Sequence, residues 1–135
     1  MITAVDTSVL LDVLGADATF GAGSREALRA CLHEGSLVAS DVVWAETAAW
    51  FTSEQAATDA LEQLRVGFVP LDVRAAQLAA SAWRSYRRAG GRRERVVADF
   101  LVAAHASVHA DRLLTRDRGF YRARFKRLTI LDPSR

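Results

Sequence analysis

Five short apolar or β-branched runs, separated by stretches of helical length, restrict this chain more than any other feature. They are ITAV (2–5), LVAS (37–40), FVPL (68–71), RLLT (112–115) and RLTIL (127–131), each of strand length. Pro70 cannot donate to a central ladder, so FVPL is expected at a sheet edge. Asp6-Thr7-Ser8 offers capping oxygens for a helix through VLLDVL, and Gly15 to Gly23 reads as a loop. Ser24 to Glu34 reads as an amphipathic helix with Ala27, Leu28, Cys31 and Leu32 on one face, stopped by Gly35. Further helices are expected from Asp41 through VVWAETAAWF, from Ser53 to about Val66, from Arg74 to Arg88, and through VVADFLVAAHASVHA. Between the last two strand runs, TRDRGFYRARF is expected to be a loop with one helical turn. Strands alternating with helices predict an α/β domain with a mainly parallel sheet. No repeat, low-complexity tract or linker divides residues 1–135, so a single domain is expected.

Ligands of parallel α/β sheets bind beyond the carboxyl ends of the strands, which makes two acids conspicuous. Asp6 follows ITAV directly, and Asp117 follows RLLT by one residue. Glu46 stands among Val43, Trp44, Ala45, Ala48 and Ala49, and Asp99 interrupts VVADFLVAAHA. Singly, each has an ordinary explanation: Asp6 as a helix cap, Glu46 on a narrow solvent-facing stripe, Asp99 favoured by the helix dipole, Asp117 paired with Arg116 or Arg118. Together they suggest a site for a hard cation, because Mg²⁺ or Mn²⁺ takes oxygen ligands and close carboxylates repel without one.

The formal charge of +2 conceals a strong asymmetry. Residues 1–83 carry four Arg against eleven acids, whereas residues 84–135 carry fourteen Arg or Lys against five. All but one of the basic residues are Arg, whose fork fits phosphate. Arg92, Arg93 and Arg95 before Asp99, and Arg116 and Arg118 beside Asp117, are candidate contacts for a polyanion. Cys31 is the only cysteine, so no intramolecular disulfide forms and a reducing compartment is expected. Asp6 and Asp12 interrupt any signal-peptide pattern, and no apolar run approaches a membrane span, so a cytoplasmic location is expected. His105 and His109 stand at helical spacing, without the HExxH pattern or a matching Cys that would suggest zinc. GADATFGAG lacks the Lys-Ser/Thr of a phosphate-binding loop. Asp12 reads as a helix-surface residue, with support of the site acids from behind as the lesser alternative, and Trp44, Trp50 and Phe51 as core or interface residues.

The stretches VDTSVLLD, VVWAE, ADFLVAAHA and LLTRDRGFY, in that order, resemble PIN-domain nucleases, and within them the toxin ribonucleases of bacterial VapBC-type toxin–antitoxin pairs. The resemblance covers nearly the whole chain and implies an α/β/α sandwich whose mainly parallel sheet is flanked by helices. It places the family's acidic quartet on Asp6, Glu46, Asp99 and Asp117 and an ordering hydroxyl on Thr115. It implies one or two Mg²⁺ or Mn²⁺ ions per site, RNA as substrate, an antitoxin partner and a homodimer. Gly119 stands where many relatives carry another acid.

Two other readings stay open on sequence alone. An inactive PIN-like module that only binds RNA or protein would keep the fold without the chemistry. A phosphatase with Asp6 as nucleophile would need an acid two residues on, where Ser8 stands.

Overall fold

The computed structural model describes residues 1–91 and 97–134. Its strands are β1 (Ile2–Val5), β2 (Ser36–Ala39), β3 (Val66–Phe68), β4 (Arg112–Leu114) and β5 (Ile130–Leu131). They form one sheet in the order β3-β2-β1-β4-β5, and every neighbouring pair is parallel. In β1 and β2 the last three residues are all buried, which is why both read as unbroken apolar runs rather than alternating ones.

The helices are α1 (Thr7–Leu14), α2 (Gly21–Glu34), α3 (Asp41–Ala48), α4 (Glu54–Gln63), α5 (Val73–Arg88), α6 (Val97–His109) and α7 (Arg118–Arg124). Helix α2 packs on α1 and β2, whereas α6 pairs with α5 and lies against β1 and β4. The apolar character of α6 follows from this central position: Phe100, Val102, Ala103, Ala104, His105 and Ala106 are all buried. Phe100 gathers an aromatic cluster with Trp83, Tyr86, Phe120 and Phe125, and so fastens α7 to the α5–α6 pair. The result is the α/β sandwich with a parallel central sheet expected from the sequence.

Several boundaries differ, each for a local reason. Helix α2 begins at Gly21 rather than Ser24, because the Asp17 carboxylate accepts the amides of Thr19 and Phe20 and turns the chain into it earlier. The strand around FVPL is Val66–Phe68; it does lie at the edge, with Pro70 beyond its end. Residues 118–124 form a helix of about two turns where one turn is expected, since packing of Phe120 and Phe125 on Phe100 supplies what local propensity lacks. Gly35 does follow α2, but its backbone is extended (φ 169°) and not left-handed. Its lack of a side chain matters because a Cβ there would strike the Met1 backbone, whose carbonyl accepts the Ser36 amide at 3.0 Å.

Cys31 is fully buried, as expected of a core thiol. His105 Nε2 lies 2.6 Å from the Val69 carbonyl and His109 Nε2 3.4 Å from Asp72, so the pair ties α6 to the loop before α5. No helix among the described residues is long and apolar enough to cross a membrane.

Candidate functional site

Parallel pairing of β1 with β4 sets Val5 opposite Leu114, and the Asp6 amide continues the ladder by donating to the Leu114 carbonyl at 3.0 Å. Asp6 and Thr115 therefore emerge side by side at the carboxyl ends of the two strands. The Thr115 hydroxyl donates to Asp6 Oδ2 at 2.7 Å, and the Asp117 amide donates to the same hydroxyl oxygen at 3.0 Å. The other Asp6 oxygen accepts the Thr7 amide at 2.8 Å, so Asp6 also caps α1. Both readings of Asp6, cap and site acid, are compatible in one side chain.

The remaining acids arrive from neighbouring elements. Glu46 is carried by α3, which follows the adjacent strand β2, and its Oε1 accepts the Thr7 hydroxyl at 2.9 Å. It is exposed, which agrees with a solvent-facing stripe on an otherwise apolar helix. Asp99 lies in the first turn of α6 and is half-buried, as is Asp117. Asp6 itself is buried, with 9% of its surface exposed. Burial holds its carboxyl above the usual carboxylate range, Asp99 and Glu46 push in the same direction, and the bonds from Thr115 and Thr7 oppose them. The four sequence-predicted acids thus share one edge of the sheet and one negative field.

Three features of this edge escape sequence reading. The Tyr121 hydroxyl, fully buried on α7, lies 3.4 Å from Asp6 Oδ2; burial and then the charges of Asp6, Asp99 and Asp117 hold it protonated far above its ordinary range. The only sequence signal is its place in the GFY of LLTRDRGFY. Asp12 is not a surface residue: it is 3% exposed and takes a bidentate ion pair from Arg116, with Nε at 2.7 Å and Nη2 at 3.0 Å. Two of the Arg116 donors are thus taken by Asp12, its guanidinium carbon lies 4.1 Å from the Phe20 ring centroid, and the side chain stays part-exposed. Arg92, Arg93, Arg95 and the Arg118 side chain lie outside the described residues. Arg84, Arg87, Arg88 and Arg122 are exposed.

The donor set consists of carboxylate and hydroxyl oxygens, the chemistry that Mg²⁺ or Mn²⁺ requires. Among the described residues, no three His, Cys, Asp or Glu side chains close on a common point as they stand. The fit therefore lies in the hard donors and in the unfavourable burial of Asp6 beside like charges, which a cation would relieve.

The acids thus stand at the carboxyl ends of the central strands of a parallel sheet, where α/β folds bind their ligands. A family model for the PIN domain matches residues 3–126, and the chain belongs to that family. Solved structures agree on the fold. A chain of the VapBC2 complex from Rickettsia felis, bound to a DNA fragment from its promoter, superposes with a TM-score of 0.75 at 15% identity, each chain covered to 98%. A chain of VapBC-1 from nontypeable Haemophilus influenzae gives 0.73 at 20% identity over the full length of both. A chain of FitAcB from Neisseria gonorrhoeae gives 0.69 at 26% identity with 98% of each covered. No curated protein matches the chain significantly.

Proposed function

We propose that this chain is a metal-dependent endoribonuclease and the toxin component of a type II toxin–antitoxin pair. One observation carries the reading: in a PIN-domain fold, Asp6 is buried at the carboxyl edge of the sheet within the field of Asp99 and Glu46. A carboxylate in that position is disfavoured on its own and becomes favourable when it shares a cation.

Asp6, Glu46, Asp99 and Asp117 would hold one or two Mg²⁺ or Mn²⁺ ions. When bound, the metal supplies a water of lowered pKa and shields the phosphate charge. The chain's own residues prepare the site. Thr115 and the Thr7 amide each bond one Asp6 oxygen, which favours its ionised form and fixes its plane. The Thr7 hydroxyl holds Glu46 on α3, so Thr7 bonds two of the acids, Asp6 through its amide and Glu46 through its hydroxyl. The buried Tyr121 keeps its proton and sets its hydroxyl 3.4 Å from Asp6 Oδ2. The exposed arginines of α5 and α7 would meet substrate phosphates and make binding weaken with salt.

The toxin role draws on the likeness to chains of VapBC and FitAB complexes and to Mycobacterium tuberculosis VapC20, described as a sarcin–ricin-loop-cleaving toxin. An antitoxin partner, a homodimer and a cytoplasmic setting accompany that reading. The test is to incubate purified protein with a mixed pool of structured RNA in Mg²⁺, Mn²⁺ or EDTA and to map product ends. Metal-dependent cuts leaving 5′-phosphates support the reading. Metal bound without cleavage of any RNA in the pool contradicts the nuclease assignment and favours a binding module.

A further inference from the structure

We infer that the ion pair between the buried Asp12 and the half-buried Arg116 positions the Thr115–Asp117 turn, making both members positioning residues for the four-acid site; this rests on the reading of that site as nucleolytic. Arg116 is the middle residue of the turn, between Thr115 and Asp117. Its neighbours are pinned from the other side. The Thr115 amide donates to the Leu131 carbonyl at 3.0 Å, its hydroxyl holds Asp6, and the Asp117 amide returns to that hydroxyl. Arg116 reaches from the turn to Asp12 on α1.

There the arrangement is specific. Asp12 Oδ2 accepts Arg116 Nε at 2.7 Å and the Ser24 hydroxyl at 2.8 Å, while Oδ1 accepts Nη2 at 3.0 Å. The Asp12 carbonyl accepts the Asp17 amide at 2.9 Å, and Asp17 starts the turn that sets Phe20 beneath the guanidinium. A bidentate fork stacked on a ring fixes both the distance and the plane of the arginine, and so fixes the backbone that carries it. A carboxylate buried as deeply as Asp12 costs stability unless it is paired, and its pairing by the middle residue of the turn calls for a geometric explanation. The explanation offered by the fold is that α1, capped by Asp6, also carries Asp12. One helix thereby sets both the first site acid and the turn bearing the last.

The pair also accounts for a division of labour among the arginines. Arg116 stands next to a site acid, yet its Nε and Nη2 are taken by Asp12, whereas Arg122 and the arginines of α5 are exposed.

The experiment compares Asp12→Asn, Arg116→Gln, Arg116→Lys and the Asp12→Asn/Arg116→Gln double variant, each confirmed folded by circular dichroism. Three quantities are read: kcat and KM on RNA, the salt dependence of RNA binding, and hydrogen exchange at the Asp117 amide relative to the Asp6 amide. Positioning predicts kcat lower by about 100-fold with KM nearly unchanged. It also predicts a double variant no worse than the poorer single one, with Arg116→Lys recovering part of the loss. The salt slope stays that of the parent, and the Asp117 amide exchanges about tenfold faster while Asp6 keeps its protection. The proposal is overturned if folded variants retain both kcat and Asp117 protection, since the pair then only stabilises the fold. It is equally overturned if Arg116→Gln alone raises KM and lowers the salt slope by about one, the mark of a phosphate contact. Should the parent cut no RNA, the nuclease reading fails and the amide exchange alone decides the positioning.

Discussion

The Thr115 hydroxyl donates to Asp6 Oδ2 across 2.7 Å and joins the ends of two parallel strands whose residues are 109 positions apart in sequence. Thr115 is fully buried, and its oxygen also accepts the Asp117 amide, so one hydroxyl ties the first acid to the backbone of the last. Thr115→Val keeps the shape and removes the oxygen. Hydrogen bonds to charged groups contribute about 1.5–3 kcal/mol, so urea unfolding should show a loss of that order. RNA cleavage should fall by about tenfold or more as the Asp117 turn loosens. Unchanged stability together with unchanged cleavage would remove Thr115 from the account.

Asp6 gives a pH signature. Its folded-state pKa lies above the ordinary 3.8, chiefly through burial. The folded chain therefore binds this proton more tightly than the unfolded chain. Its contribution to stability falls as pH rises from about 3.8 through the raised value, and the deficit persists at neutral pH. Asp6→Asn removes that deficit. Its Tm at pH 7 should exceed the parent's, with the difference shrinking towards pH 4. A lower Tm for the variant at both pH values would mean that its bonds to Thr115 and Thr7 outweigh its burial.

Divalent cation should separate the parent from its site variants. Binding to the folded state alone stabilises it by about 2.7 kcal/mol at 100 times Kd. Millimolar Mn²⁺ should therefore raise the parent's melting temperature and leave Asp6→Asn and Asp99→Asn unmoved, as scanning calorimetry would record. An equal shift in all three would place the cation elsewhere.

Gly35→Ala tests a close approach outside the site. A Cβ at this position meets the Met1 backbone, which cannot retreat without breaking the Ser36 amide bond to the Met1 carbonyl. A loss of about 3 kcal/mol in urea is expected, with kcat per folded molecule unchanged.

How much of this was legible in the sequence depended on range. Asp6 and Asp117 were visible because strand-end acids in a parallel α/β pattern follow from local runs alone. Glu46 and Asp99 were visible because each interrupts an apolar helix. Asp12 was read as a surface residue because its partner lies 104 positions away, and a carboxylate in VLLDVL carries no mark of the arginine it meets. For the same reason Arg116 was matched with its neighbour Asp117 or a polyanion and not with Asp12. Helix α7 was underestimated because Phe120 and Phe125 hold it against Phe100 on another element. The Tyr121 hydroxyl could not be aimed at Asp6 without the tertiary fold.

The central claim is that the four acids at the sheet edge act as one cation-holding unit that cuts RNA. Its most direct measurement is the initial rate of RNA cleavage against Mn²⁺ concentration for the parent, Asp6→Asn, Glu46→Gln, Asp99→Asn and Asp117→Asn. The account predicts a saturable dependence in the parent, no cleavage in EDTA, and rates at least about 100-fold lower in the aspartate variants, with Glu46→Gln also impaired. Cleavage that persists in EDTA, or variants that cut as fast as the parent, would contradict it.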